Sequence, residues 1–256
     1  MPIAITREVS HSLGDCELSY VDRASIDVER AVAQHEAYRH ALASLGCEVI
    51  ALPAEHALPD AVFVEDVAIV LDELAIATRT GAASRRAEVA TVARELTRHR
   101  PLQAIEAGTI DGGDVLRIGR TIYVGASART NAEGVAVLRR IAGAAGYVVE
   151  AVPIRGCLHL KSAVTEVAEG TVLINPDWVD RLAFAPFRQI AIDPDEPHAA
   201  NALRIGARAI YPASFPRTRR RLEEAGIALT TVDVSELQKA EGAVTCCSIV
   251  FEGALV

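Results

Sequence analysis

Several features that define common protein classes are missing from this 256-residue sequence. Only 4 % of the residues are aromatic, so the core must consist mainly of Ala, Val, Ile and Leu. No apolar run approaches the roughly 20 residues that a membrane-spanning helix needs. The N-terminal segment also lacks the basic region and apolar stretch of a signal peptide. We therefore expect a cytoplasmic protein that contacts no membrane.

Cysteine pairing and excess positive charge are missing as well. The five cysteines are odd in number and show no CxxC spacing. Without a secretion signal, free thiols in a reducing compartment are a better prediction than a disulfide framework. Asp and Glu outnumber Lys and Arg by 34 to 26, which gives a net charge of -8. This balance argues against nucleic acid as a partner and is compatible with a cationic ligand.

What the sequence does contain is a repeated pattern. Each unit has a polar leading residue, an apolar strand, a tight turn, a second strand and a helix. The leading residues, spaced 48, 47, 40 and 45 positions apart, are Asp66, Asp114, Lys161, Asn201 and Cys246. The N-terminal strand "ITREV" and the helix after it can complete the last unit. Because no unit can bury its apolar face alone, the pattern predicts radial closure.

The predicted fold is therefore a single α/β domain over residues 1–256. We expect five units in a propeller-like barrel, with helices outside and strands around a central site. An open α/β sandwich is the alternative. Local signals support the helices: "TNAE" at 130–133 predicts a capping box. The glycines expected at helix ends are Gly46, Gly146 and Gly226. Those expected in hairpin turns are Gly119, Gly170 and Gly206.

A cysteine doublet stands in the apolar string "GAVTCCSIVF", which we interpret as a strand. Neighbouring side chains in a strand point to opposite faces, so only one of Cys246 and Cys247 could reach a central site. The residues alone favour inert packing for a buried cysteine. Taken alone, a single histidine such as His159 in "CLHLKS" is also more often a structural residue than a catalytic one. With Cys157 it could ligate a metal, but no second ligand pair supports a structural zinc site.

Carboxylates cluster in the first two units. Asp60, Glu65 and Asp66 surround an apolar strand, and Asp111 and Asp114 flank two glycines in "DGGD". Carboxylates among apolar residues are costly unless they are paired. Arginine partners could satisfy some of them, but so many acids at the same end of successive units favour a pocket for a cation.

Two arginines stand where the helices of the first two units begin. The simplest interpretation of Arg85 and Arg129 is a surface position on a helix. A guanidinium near the mouth of a pocket could instead hold a carboxylate bidentately. Acidic residues that bind a cation inside the pocket, with arginines that bind a carboxylate at its mouth, would form a site for an amino acid with a basic side chain.

Six strings together resemble the dimethylarginine dimethylaminohydrolases of the guanidino-group-modifying (pentein) superfamily. They run in order from about residue 17 to 251 and are "LPDAVFVEDVA", "TRTGAASRRAEV", "TIDGGDVL", "ASARTNAEG", "LHLKS" and "GAVTCCS". The resemblance implies a five-unit α/β-propeller. It also implies hydrolysis of Nω-methylated arginines, namely asymmetric dimethylarginine and monomethylarginine, to citrulline and (di)methylamine without a cofactor.

The same resemblance implies a role for each site residue. The implied catalytic residues are the nucleophile Cys246, the general acid and base His159, and its orienting acid Asp111. The implied substrate-binding residues are Asp66 and Glu65 for the guanidinium, Asp60 for the α-amine, Arg85 and Arg129 for the α-carboxylate, and the lid residue Leu18. No metal is implied as a resident group. It stays open whether Zn²⁺ inhibits by bridging Cys246 and His159, and whether the chain forms a homodimer.

Three related functions compete with this one. An arginine deiminase is typically longer, with an inserted helical domain. An agmatine deiminase would not need both Arg85 and Arg129, since agmatine has no carboxylate. A non-catalytic propeller that serves as a binding protein would have no reason to keep Cys246, His159 and Asp111 together.

Overall fold

The computed structural model describes residues 1–253 of the chain. In chain order its strands are β1 (Pro2–Arg7), β2 (Glu48–Leu52), β3 (Ala68–Val70), β4 (Ala75–Ala77), β5 (Leu102–Ala104), β6 (Val115–Ile118), β7 (Thr121–Ala126), β8 (Val148–Pro153), β9 (Val164–Ala168), β10 (Thr171–Ile174), β11 (Arg188–Ala191), β12 (Leu203–Ile205), β13 (Arg208–Pro212), β14 (Ala228–Val232) and β15 (Ile249–Glu252). Its α-helices are α1 (Val28–Ser44), α2 (Val89–Leu96), α3 (Ala132–Ala144), α4 (Leu160–Ala163), α5 (Pro216–Glu224) and α6 (Ser235–Gln238).

These strands form five separate three-stranded sheets rather than one closed barrel. In every sheet the first two strands are antiparallel, and the third pairs in parallel with the middle one. The C-terminal β15 pairs with β1, which pairs with β2, so the N-terminus completes the last sheet as the sequence predicts. The propeller-like arrangement of five units is confirmed.

The third strand of each sheet was not predicted. β2 and β5 show why, since β2 has no buried residue and β5 only one half-buried residue. An edge strand of this kind carries little of the apolar alternation by which strands are recognised in a sequence.

The leading residues Asp66 and Asp114 stand just before the first strands of their units, as predicted. Each lies in a short 3₁₀ turn, Val64–Val67 before β3 and Gly112–Asp114 before β6. The expected strand at Cys246 and Cys247 is wrong, because both lie in the turn 244–247 that precedes β15. Strand alternation therefore cannot separate the two thiols.

The predicted glycines at the C-terminal ends of helices are confirmed, whereas the predicted capping box is wrong. Gly46, Gly146 and Gly226 have φ values of 90°, 83° and 85° after their helices, as expected for left-handed C-terminal residues. Helix α3, however, is capped by Asn131, whose side chain accepts a hydrogen bond from the Gly134 amide. The predicted cap Thr130 is displaced by one residue, and its hydroxyl instead accepts a hydrogen bond from the Asp111 amide.

The core is divided among five apolar clusters of mainly Val, Ile, Leu and Ala. All five cysteines are free. Within residues 1–253, none of the helices has the length and apolar character needed to cross a membrane.

Candidate active site

A small cavity lies where the leading turns of the units meet. Of the nine predicted site residues, seven line it: Asp60, Asp66, Arg85, Asp111, Arg129, His159 and Cys246. The volume of the cavity is about 20 Å³, which is room for roughly one water molecule. The residues that the sequence predicts to act together are thus brought together, in a nearly closed site.

His159 is held between two carboxylates. Its Nε2 lies 3.1 Å from Oδ2 of Asp111, and its Nδ1 lies 3.7 Å from Oδ1 of Asp66. Asp111 is fixed in turn by the Gly81 amide, which donates to its Oδ1 at 2.8 Å. All three side chains are buried. The imidazole therefore has a defined orientation before any ligand binds.

The two glycines of "DGGD" make this arrangement possible. A Cβ atom on Gly113 would lie 2.5 Å from Nδ1 of His159 and 2.7 Å from Oδ1 of Asp66. One on Gly112 would lie 1.9 Å from the Glu65 carbonyl oxygen. The Gly113 amide also donates to Oδ1 of Asp66 at 3.0 Å. The close backbone approach that these glycines predict is confirmed, and side chains at either position would push the units apart.

The charges around His159 decide its protonation. Burial opposes a charged imidazole, but the negative charge of Asp66 and the hydrogen bond to Asp111 outweigh it and raise the pKa of His159 to about 9. Burial likewise opposes ionisation of Asp66, yet the charges of His159 and Arg85 hold its pKa below the usual value. At neutral pH the site therefore contains an imidazolium that can donate a proton.

Cys246 lies in a turn that is fixed from several sides. The hydroxyl of Tyr38 in α1 donates to the Val244 carbonyl at 2.7 Å and lies 2.6 Å from the Ser248 hydroxyl. The Glu65 amide donates to the carbonyl of Cys246 at 3.2 Å. Burial, followed by the charges of Glu65 and Asp66, raises the pKa of the Cys246 thiol. Without a cationic ligand this thiol is protonated.

The neighbouring thiol points elsewhere. Cys247 is fully buried, and its Sγ donates to the Ala243 carbonyl at 3.4 Å, whereas Cys246 is half-buried and lines the cavity. The two thiols are therefore separated by the geometry of the turn.

Glu65 does not line this cavity. Its Oε1 lies 2.6 Å from Nζ of Lys161, and its Oε2 accepts a hydrogen bond from the Thr245 hydroxyl at 2.7 Å. Glu65 and Lys161 instead border a second cavity of about 450 Å³. Glu65 thus supports the turn of Cys246 through Thr245.

The two arginines predicted at the rim occupy different environments. Arg85 is buried and donates from Nη1 to Oδ2 of Asp66 at 2.5 Å and from Nη2 to Oε2 of Glu88 at 2.8 Å. Arg129 lies at the mouth, where its Nη1 donates to Oε2 of Glu17 at 3.3 Å. Both line the cavity, but Arg85 orients a carboxylate of the protein, and Arg129 is the more accessible of the two.

Two acidic residues that the sequence did not reveal line the cavity, Glu17 in the lid segment (residues 17–21) and Glu241 outside it. Leu18 is half-buried against the core and does not line the cavity, whereas its neighbour Glu17 does. Glu241 also lines it, and its Oε1 accepts hydrogen bonds from the Ser19 and Val21 amides at 2.9 and 2.8 Å. The one signal for Glu241 was its place just before the cysteine turn, which by itself indicates no role.

The metal-ligating capacity of the site is limited. Asp66, Asp111 and His159 each place one ligand atom within 4.8 Å of the others. These atoms already bind each other, Arg85 and backbone amides. The set is satisfied by protein partners, and its chemistry is that of a thiol, an imidazolium and carboxylates around a small cavity. Such a group can attack a planar cation and protonate its leaving nitrogen.

Comparisons with known proteins agree with this chemistry. A sequence profile described as "N,N dimethylarginine dimethylhydrolase, eukaryotic" matches residues 18–184. The chain is 41 % identical over 248 residues to an N(G),N(G)-dimethylarginine dimethylaminohydrolase of Streptomyces coelicolor. The match covers 96 % of this chain and 95 % of that relative. It is 36 % identical over 228 residues to the protein of the same name from Pseudomonas aeruginosa, at 88 % and 90 % coverage.

Solved structures extend the comparison to the fold. The chain matches a mutant of the Pseudomonas aeruginosa protein in complex with citrulline, with a TM-score of 0.93, 35 % identity, and coverage of 97 % of this chain and 98 % of the other. The N-terminal domain of a cyanobacterial arginine dihydrolase, 18 % identical, gives a TM-score of 0.88 at 97 % coverage of both chains and shows the same fold. The chain belongs to the dimethylarginine dimethylaminohydrolase family of pentein-fold proteins.

Proposed function

We propose that this protein hydrolyses Nω-methylated arginines, asymmetric dimethylarginine and monomethylarginine, to citrulline and dimethylamine or methylamine. One catalytic domain over residues 1–256 performs the reaction, with Cys246 as nucleophile. The observation that carries the proposal is the meeting of Cys246, His159, Asp111 and Asp66 around one cavity. These four come from different units of the fold, so their proximity is a product of the tertiary structure.

Binding of the cationic guanidinium prepares the nucleophile. Asp66 is ionised and faces the cavity, where it can hold the planar group beside the sulfur. This positioning is itself a large part of catalysis. The positive charge of the bound substrate favours the thiolate of Cys246 and offsets the carboxylates that raise its pKa. The thiol proton leaves to solvent as the substrate binds.

The chemical steps then follow from the protonation of His159. The thiolate attacks the guanidinium carbon and forms a C–S bond. The His159 imidazolium donates its proton to the methylated nitrogen, the C–N bond breaks, and dimethylamine or methylamine departs. The neutral imidazole next accepts a proton from water, whose oxygen attacks the S-alkylthiouronium. The C–S bond breaks, the remaining hydroxyl proton leaves to solvent, citrulline is released, and the thiolate returns.

No cofactor enters these steps, because the nucleophile, the proton carrier and the cation site all belong to the chain. We propose in addition that Zn²⁺ inhibits by displacing one proton each from Cys246 and His159 and binding both side chains, which line the same cavity and are ordinary zinc ligands when deprotonated. Loss of activity on adding Zn²⁺, reversed by a chelator and absent on adding Mg²⁺, is the expected result.

The direct test is a side-by-side assay of asymmetric dimethylarginine, monomethylarginine, arginine and agmatine for formation of the ureido product. We expect citrulline from the two methylated substrates at higher kcat/KM than from arginine, and no turnover of agmatine. Faster turnover of arginine would identify a deiminase. Absence of turnover with all four would identify a binding protein of the same fold.

A further inference from the structure

Glu17 contacts two residues, Arg129 and Asp60, to which the family resemblance assigns the α-carboxylate and the α-amine of the substrate. The Glu17 carboxylate accepts a hydrogen bond from Nη1 of Arg129 at 3.3 Å, where the α-carboxylate is expected. The Glu17 backbone amide donates to Oδ2 of Asp60 at 3.2 Å, where the α-amine is expected. Glu17 thus presents a carboxylate to Arg129 and an N–H group to Asp60, as the α-carboxylate and the α-amine of an amino-acid substrate would.

We propose that Glu17 is a specificity-determining residue that occupies the amino-acid subsite in the free enzyme and must be displaced by the substrate. The inference rests on the proposed function, because it concerns the substrate of the same site.

The contacts of Glu17 are of the kind that can exchange. Its side chain is 43 % exposed and that of Arg129 only 13 % exposed, and ion pairs with such exposure are weak because water screens them. A hydrogen bond from the Ser84 hydroxyl, more than the charge of Arg129, lowers the pKa of Glu17. The residue therefore stays anionic and remains a competitor of a carboxylate at neutral pH.

Arg85 cannot take over this role. Its guanidinium donates to Asp66, to Glu88 and to two backbone carbonyls, and it is buried. Arg129 is therefore the guanidinium whose partner can change when a ligand with a carboxylate arrives. A substrate without that carboxylate gains nothing from displacing Glu17.

The test measures binding in the Cys246→Ser background, which permits binding without turnover. Citrulline and its decarboxylated analogue N-carbamoylputrescine are titrated by calorimetry into the parent variant, into the Glu17→Gln variant and into the Asp15→Asn variant. Asp15 is an exposed acid two positions away that makes no side-chain contact with Arg129, so its substitution controls for loss of one negative charge.

We expect Glu17→Gln to lower the Kd of citrulline about two- to fivefold, as removal of a weak exposed ion pair allows. N-carbamoylputrescine and the Asp15→Asn variant should show no change. In otherwise unmodified enzyme, Glu17→Gln should lower KM for asymmetric dimethylarginine, whereas Asp15→Asn should leave both KM and kcat unchanged. An unchanged or weaker citrulline affinity in Glu17→Gln overturns the inference alone, whereas failure of the parent variant to bind citrulline overturns the proposed function as well.

Discussion

The turn that carries Cys246 and the segment that carries Glu17 close the same cavity, but they are held in opposite ways. The cysteine turn is largely buried and is fixed by hydrogen bonds from Tyr38 and from the Glu65 amide. The segment 17–21 is mostly exposed and is held by the carboxylates of Asp60 and Glu241 and by Arg129. Contacts to buried groups fix the reacting atoms, while exposed ionic contacts can be exchanged for those of a ligand.

The largest expected effect concerns the two thiols of the cysteine turn. Cys246→Ser should lower kcat about 1,000-fold or more, because a hydroxyl is a far weaker nucleophile at neutral pH. Cys247→Ser is the matched control and should keep most of the activity, since that thiol is buried in an apolar cluster, donates to the Ala243 carbonyl and does not line the cavity. Steady-state rates of both purified variants give the answer, and an equal loss in both would remove Cys246 as the sole nucleophile.

The next effect concerns the orientation and charge of His159. Asp111→Asn removes the carboxylate 3.1 Å from its Nε2 and should lower kcat about 100- to 10,000-fold. Wild-type His159 should lose its proton as pH rises through about 9. In the variant this loss should occur at lower pH, since one negative charge that stabilises the imidazolium is gone.

NMR titration of the histidine ring signals measures this shift. Asp72→Asn is a suitable control, because Asp72 pairs with Arg117 at the surface and its loss leaves the charge around His159 intact. A His159 pKa that is the same in wild type and in Asp111→Asn would contradict the role of Asp111.

A smaller effect is expected where α1 supports the cysteine turn. Tyr38→Phe leaves the Val244 carbonyl and the Ser248 hydroxyl without their buried partner. The free energy of unfolding should fall by about 1 to 3 kcal/mol. Tyr20→Phe, at a position 45 % exposed, should change it by less than about 0.5 kcal/mol. Urea titration compares the two, and equal small effects would mean that Tyr38 does not support the turn.

The smallest effect on global stability belongs to the lid segment. Glu241→Ala removes the acceptor shared by the amides of residues 19–21. Exchange of those amide hydrogens should accelerate, while the free energy of unfolding should change by less than about 1 kcal/mol, because local opening of an exposed segment need not unfold the core. Unchanged exchange at residues 19–21 would contradict the difference between the two regions.

The same contrast explains how much the sequence could predict. The five-unit closure was predictable because its leading residues recur at nearly constant spacing. The residues that we propose to be catalytic were found because they stand in distinctive strings. The contacts of Glu17 and Glu241 were not, since no local pattern encodes them: Glu17 contacts Asp60 and Arg129, 43 and 112 positions away, and Glu241 contacts amides more than 200 positions away. The buried orientation of the Arg85 side chain was not predictable either, because it depends on the buried carboxylates of Asp66 and Glu88 beside it.

The proposed mechanism requires a covalent bond between Cys246 and the guanidinium carbon, which mass spectrometry of an acid-quenched reaction can detect. Enzyme mixed with asymmetric dimethylarginine should yield a peptide containing Cys246 whose mass increases by that of the substrate less dimethylamine. Tandem fragmentation should place the added mass on Cys246 and not on Cys247. Citrulline formation at the full rate without this adduct, or with the adduct on Cys247, would rule out Cys246 as the nucleophile.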